Sequence, residues 1–488
     1  MTQGKGGTGL YRNPLSYFGG LVVAGSALLI AFSLTLSLIM KQGSPYIGIL
    51  TYLVFPGFLF LGVLIFFVGI RREIRRRKRA GAAAVLPYPT IDLNLPVQRK
   101  KFAYALLAGF ALLLLLSVVS YHAFIFTESV TFCGRVCHKV MDPEFTAYLA
   151  SPHARVRCVD CHVGSGASWY VKSKLSGARQ VLAVTFHTYP TPIGVPVRNL
   201  RPARETCEEC HWPQKFVGNL EHTYNYFLTD ETNTPFTVRL LMNVGGGDPT
   251  HGPVGGIHWH MNVGNKIEYI ASDKERQKIP YVRVTELAQG IVTEFRTPKF
   301  TNAVDEASLR LMDCMDCHNR PAHRYRTPNN AVNLAIALTN IDSGLHWIKS
   351  NAVYVLTQPY TNETQALQSI ATTLSQLYPN DLRIRSAIGA VQQIYTNNFF
   401  PEMKASWKDY PDNIGHKDWP GCFRCHDGLH KSGDGKHSIK ADNCDACHTI
   451  LAQGRGEEAE QLRPKEQKFN HPGDPVEGGC NDCHTGGL

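Results

Sequence analysis

All fourteen cysteines of this 488-residue chain fall into seven pairs, and a histidine directly follows the second cysteine of every pair. Six pairs are regular C-x-x-C-H: Cys158/Cys161/His162, Cys207/Cys210/His211, Cys314/Cys317/His318, Cys422/Cys425/His426, Cys444/Cys447/His448 and Cys480/Cys483/His484. The first, Cys133/Cys137/His138, is stretched by one residue to C-x-x-x-C-H. Zinc ribbons and disulfide frameworks also pair cysteines, but neither needs a histidine after each second cysteine. The pattern fits covalent haem c, with two thioether-forming cysteines and a histidine placed to ligate the iron. Seven covalently bound haems c are expected in residues 129–488, so porphyrin faces must do much of the core-forming work.

The formal charge of +10 has a local origin. Residues 71–101 hold ten Lys/Arg against Glu73 and Asp92, a net +8, and the first seventy residues add +3. That leaves −1 for residues 102–488, which excludes a nucleic-acid surface as the meaning of the charge. Residues 17–40, 46–70 and 102–126 contain no Asp, Glu, Lys or Arg, and each run exceeds the roughly twenty residues that cross a bilayer as helix. Pro56 is expected to kink the second of these spans. The basic stretch 71–101 belongs in the cytoplasm by the positive-inside rule. Three spans then leave the amino terminus in the cytoplasm and put everything after residue 126 in the periplasm of a bacterial inner membrane. Haem-c attachment calls for the same side.

Successive motifs are separated by 25, 49, 107, 108, 22 and 36 residues, first cysteine to first cysteine, so no solenoid period is present. The first long gap reads as strands at 224–227, 236–242, 256–262, 266–270, 281–284 and 291–295, with turn clusters between them. The second reads as helix. Leu367, Ile370, Leu374 and Leu377 recur at helical spacing behind the cap Asn362, and Leu382, Ile388, Val391 and Ile394 form a second stripe. The expected fold is three transmembrane α-helices followed by a multihaem c-type cytochrome region, mainly α/irregular with a β-rich insert. Its expected parts are a membrane anchor (1–128, with the basic loop 71–101), a three-haem region (129–222), the β-rich insert (223–300), the fourth haem with a helical region (301–415) and a three-haem tail (416–488). Residues 80–97 read as a linker near the membrane face.

Seven motif histidines leave thirteen others, enough for every iron to take a second histidine. Bis-histidine haems have no open position and transfer electrons. His153, His187, His323, His416, His430 and His471 stand near motifs and are candidate second ligands. His258 and His260 flank Trp259, and on a strand they would share one face. His222, His251 and His437 are open to either reading, while His346 reads as an ordinary helix histidine. Met141 follows His138 by three residues, and a thioether ligand there would raise the potential of the first haem.

A membrane helix, Cys133 to His138 with a nearby methionine, His153, Cys158/Cys161/His162, His187 and Cys207/Cys210/His211 follow one another in this order. That order resembles the NapC/NirT/NrfH family of membrane-anchored periplasmic quinol dehydrogenases, over roughly residues 102–215. Three spans with seven haems resemble the seven-haem inner-membrane cytochromes of the ImcH type, which pass electrons outward in metal-reducing bacteria. The resemblance implies that Met141 ligates the first iron and that Lys172 or Lys174, beyond the second motif, lines a quinol pocket. The family's acidic position falls on Gln180, which leaves Asp142, Glu144 or His122 as the proton acceptor.

The expectation is a menaquinol-oxidising cytochrome that draws on the membrane quinol pool and hands electrons to a periplasmic c-type cytochrome or another acceptor, with lipid and no nucleic acid as its surroundings. The pocket is placed between Tyr121, His122 and the first haem. Two rivals stand beside this reading. One is a non-catalytic relay subunit of a larger complex. The other is a reductase of nitrite or hydroxylamine, which needs a five-coordinate haem.

Overall fold

Apolar runs without turn formers wind into helices, whose backbone groups satisfy one another without water. The computed structural model describes residues 10–39, 51, 54–80, 92–136, 138–164, 166–197, 200–216, 218–246, 255–463, 467–473, 480–484, 486 and 487. It divides into two compact units, Met1–Ser129 with His162–Leu182, and Val130–Cys161 with Ala183–Leu488.

In the first unit, α1 (Pro14–Ile39) and α2 (Phe55–Ala80) each contain 22 residues long and apolar enough to cross a membrane, with mean hydropathy 2.0 and 1.7. They meet at glycines, as small residues let helix backbones approach. A β-carbon on Gly19 would stand 2.5 Å from the Phe66 nitrogen and 2.7 Å from the Gly62 carbonyl oxygen. Ser16 donates its hydroxyl to the Phe66 carbonyl at 3.1 Å. α3 (Pro96–Thr127) runs 32 residues and begins on Pro96, whose missing N–H is harmless in a first turn. Its body is the uncharged run 102–126, with Leu107, Phe110 and Leu115 exposed. Pro56 stands at the second residue of α2, directly after π-helical backbone at residues 51 and 54. Residues 46–50, 52 and 53 of the expected second span and 81–91 of the expected linker lie outside the described residues.

Beyond α3 come short helices, α4 (His138–Leu149), α5 (Cys158–His162), α6 (Ala167–Thr185), α7 (Ala203–Cys207) and α8 (Cys314–Cys317). The second long gap is a helical layer, α9 (Pro328–Ala337), α10 (Ile348–Leu356), α11 (Glu363–Leu377) and α12 (Ile384–Asn398). Asn362 caps α11 as expected, its side-chain oxygen accepting from the Gln365 N–H at 2.9 Å. Ile370, Leu374 and Val391 are fully buried between these helices. Leu382 departs from its expected stripe. It precedes α12 and is 76% exposed.

Two antiparallel sheets carry the strands. One has the order β1-β2-β8, built from β1 (Leu220–Phe227), β2 (Pro235–Met242) and β8 (His448–Gly454). The other has the order β6-β3-β4-β5-β7, from β3 (Asn265–Ile270), β4 (Tyr281–Glu286), β5 (Ile291–Arg296), β6 (Arg310–Leu311) and β7 (Lys431–Ser432). The sheets therefore reach beyond residues 223–300. An open strand edge needs a cover, and the carboxy-terminal tail supplies β7 and β8 for two of them. Residues 256–262, expected as a strand, form a 3-10 helix, Ile257–Met261. The last helix, α13 (Cys480–Cys483), carries the seventh motif.

Candidate haem sites and a lysine–glutamate cluster

Each regular motif must present two thiols and an imidazole to one porphyrin, and a single helical turn does so. His211, His318 and His484 donate their backbone N–H to the first cysteine's carbonyl at 2.8 Å, and His426 does so at 3.1 Å. The stretched first motif instead lies in a π-helix, Phe132–Val136. A π-helix closes i→i+5 bonds, so it absorbs one extra residue per turn. Gly134 in this turn packs on Phe145, and a β-carbon there would collide with the ring. Cys137 and the side chain of His138 lie outside the described residues.

In the third motif the two cysteines differ in exposure. The sequence treats Cys207 and Cys210 alike, yet the structure separates them. α7 ends at Cys207, so Cys210 stands beyond the helix in a turn, where its N–H donates to the Cys207 carbonyl at 3.1 Å. Cys207 is half-buried and meets Cys314, whereas Cys210 is exposed. An exposed thiol stays open to a porphyrin, and Cys161, Cys317 and Cys483 are second cysteines exposed in the same way.

The fourth motif is anchored by its own middle residue. Asp316, 3% exposed, accepts from the Tyr269 hydroxyl at 2.6 Å, from Arg276 at 3.2 Å and Arg310 at 3.1 Å, and from the Asp313 N–H at 2.8 Å. Arg424 of the fifth motif reaches back to the Asp316 carbonyl at 2.6 Å. Neighbouring motifs meet through their first cysteines, Cys133 with Cys158 and Cys207 with Cys314, within hydrogen-bond reach. The described cysteines are all free of disulfides.

Among the described residues, five motif histidines face a second histidine across a gap. Ring centres are 6.1 Å apart for His153 and His211, 6.3 Å for His258 and His318, and 5.9 Å for His260 and His426. They are 6.2 Å apart for His416 and His448 and 6.1 Å for His471 and His484. Two metal–nitrogen bonds of about 2 Å, plus about 1 Å from each nitrogen to its ring centre, require about 6 Å. The residues present thus fit a six-coordinate iron between each pair. Orientation fits as well. His153, His258 and His260 turn Nδ1 to the backbone carbonyls of Pro321, Val244 and Ile257 at 3.2, 3.0 and 2.8 Å, which leaves Nε2 for a metal. Among the described residues, Nδ1 of both His416 and His448 is buried without a partner.

The other candidates differ. His323 turns Nδ1 to the Glu144 carbonyl at 2.9 Å, and the Glu144 carboxylate lies 3.2 Å from it and 3.3 Å from Arg320. Glu144 is therefore engaged by two cationic or imidazole partners. His187 is exposed in a left-handed backbone, φ 54°, beside Tyr189. His430 corrects the sequence reading. It is fully buried with Nδ1 2.8 Å from Asp427 Oδ1 and Nε2 2.7 Å from the Ile279 carbonyl oxygen, so neither nitrogen is left for iron. Met141 sits half-buried on α4 one turn beyond His138, on the same side of the helix.

In the first unit α6 separates its two lysines, because residues two apart on a helix point about 200° from one another. Lys172 is exposed with Nζ 4.5 Å over the Trp169 ring. Lys174 is half-buried, ion-paired to Glu128 at the end of α3, 3.5 Å from the Thr127 hydroxyl and 5.0 Å over the Tyr170 ring. Tyr170 in turn lies 6.1 Å from Phe124. Burial, and then the Glu128 charge, pushes the Tyr170 hydroxyl up to about 12. Gln180 lies about 240° around the helix from Lys174. It is exposed and donates to Ser176 at 3.3 Å, so it has no place in this cluster. His122 is exposed on α3 beside Tyr121, and Asp142 is exposed near Glu363. Glu128 was missed in the sequence, although an acid two residues beyond an apolar run is a visible signal.

Residues 96–195 match the NapC/NirT cytochrome c family, N-terminal region. Over 98% of its length the chain is 42% identical to the cytochrome c-type protein ImcH of Geobacter sulfurreducens, of which the match covers 96%. The chain belongs to the ImcH-like cytochromes of the NapC/NirT type. No solved structure matches it. As an ImcH-like cytochrome it is a membrane multihaem c-type cytochrome of electron transport. The NapC/NirT segment contains α3, the first two motifs and Glu128, Tyr170 and Lys174.

Proposed function

We propose that this cytochrome oxidises menaquinol at the periplasmic face of the inner membrane and delivers electrons to periplasmic, outward-directed acceptors. The observation that carries the reading is the Lys174–Glu128 pair at the end of α3, walled by Tyr170 and Phe124. A quinol gives up two protons with its two electrons. Glu128 supplies a carboxylate to take a proton, and Lys174, ion-paired to it, offers an N–H to the quinol oxygen. Tyr170, held protonated, adds a donor, and the aromatic rings suit a flat head group.

Seven haems c, one per motif, would supply one-electron transfer away from this pocket. The five facing pairs support bis-histidine ligation at motifs three to seven, namely His153/His211, His258/His318, His260/His426, His416/His448 and His471/His484. Met141 stands one turn beyond His138 along α4, so one of the two holds the first iron. Closed coordination of this kind favours electron transfer over small-molecule reduction. Three spans, the cytoplasmic amino terminus and the basic 71–101 loop inside complete the proposal.

The test compares quinol-dependent haem reduction in the purified chain with reduction by dithionite. Lys174→Ala and Glu128→Gln are expected to slow the first by about 100-fold or more, the scale of a lost proton-transfer group. Dithionite should still reduce every haem, and Lys172→Ala should behave as the parent. Parental rates in both cluster variants would place the pocket elsewhere. A parent that quinol cannot reduce would be a relay subunit.

A further inference from the structure

The seventh motif is pinned to the start of α9. The Gly486 carbonyl, two residues beyond His484, accepts from the Asn329 N–H at 3.1 Å. Gly486 has φ 81°, and a β-carbon there would meet Thr327 Cγ2 at 2.6 Å. Asp418 reaches the same helix start, with Oδ2 accepting from the Thr327 hydroxyl at 3.2 Å and from Asn330 at 2.6 Å. Lys417 is thereby brought beside the motif, its Nζ 4.5 Å from the centre of the Tyr226 ring. Its charge acts on both Cys480 and His484.

Lys417 is half-buried. Among the described residues, no carboxylate lies within 4 Å of its ammonium and no oxygen accepts a hydrogen bond from it. Asp418 is close enough to act electrostatically, but its carboxylate is turned to Thr327 and Asn330. A cation withdrawn from water without an acceptor is costly until an anion completes it. The nearest group of that chemistry expected at this motif is a haem carboxylate.

We propose that Lys417 holds a propionate of the haem attached at Cys480 and Cys483 and, through its charge, raises the potential of that haem. The proposal rests on the haem reading of the seventh motif and not on the quinol site. Reduction adds one negative charge to the haem, so a fixed cation at its edge favours the reduced form. His416, the preceding residue, faces His448 of the sixth motif. Adjacent residues therefore serve consecutive sites.

The test is a potentiometric titration of the full chain with dithionite and mediators, without quinol. Lys417→Gln should move one haem to lower potential, and Lys417→Arg should restore it. His471→Ala identifies the haem, because losing that ligand turns the seventh haem high-spin. The haem that shifts in Lys417→Gln should be the same one. Unchanged potentials in Lys417→Gln, or a shift confined to another haem, overturn the proposal. A parental mass lacking the seventh haem overturns the haem reading of that motif, and the proposal with it.

Discussion

His258 and His260, separated only by Trp259, face the histidines of two motifs that lie 108 residues apart, His318 and His426. A strand would have turned both rings to one side. On the 3-10 helix Ile257–Met261 each residue advances about 120°, so the two side chains diverge. Three consecutive residues thus span the fourth and fifth sites.

His258→Ala and His260→Ala should each convert one haem from low-spin to high-spin, and not the same one. Electron paramagnetic resonance of the oxidised protein reads this directly, with the mass confirming that seven haems remain. One haem responding to both substitutions would contradict the pairing.

Gly134→Ala should destabilise the π-turn of the first motif, since the new methyl group would collide with the Phe145 ring. Overpacking of this kind costs about 1–3 kcal/mol. Thermal unfolding should show a lower midpoint, and Phe145→Leu in the same chain should recover part of the loss.

Asp316→Asn removes a buried carboxylate from Tyr269, Arg276 and Arg310 together. Leaving half-buried groups without their partner costs about 1–3 kcal/mol. Denaturant unfolding should register the loss, and haem loading at Cys314/Cys317 should fall with it. Parental stability would show that the arginines find other partners.

His430→Leu should lower stability by about 1–3 kcal/mol, because the Ile279 carbonyl and Asp427 lose their donor. Every haem should stay low-spin. A new high-spin signal would make His430 a ligand after all.

Covalent chemistry was the most legible part of the sequence, because C-x-x-C-H fixes local geometry with little reference to the rest of the chain. The Asn362 cap and the strands near 236–242, 266–270 and 281–284 were legible for the same reason, being set by neighbours in sequence. What escaped depends on distant partners. β7 and β8 are too short or too polar to read as strands until β5 and β2 offer their edges. Cys207 and Cys210 differ only once Cys314 is folded against the first of them. His430 and His416 look alike beside a motif, and only Ile279, 151 residues away, tells them apart. Glu128 reads as a helix end until Lys174 is folded onto it.

The pairing of Met242 with His448 sets an order of events during folding. β2 keeps an open edge until residues 448–454, more than two hundred positions later, have folded onto it. Attachment chemistry at the first five motifs therefore has time to act on a chain whose first sheet is still unsealed, with cysteines accessible to the machinery. Long-range closure of this kind is slow by nature, since the loop must be ordered before its contacts form. A truncation before residue 448 should leave β2 uncovered and prone to strand addition by other chains, so the tail also guards the protein against aggregation.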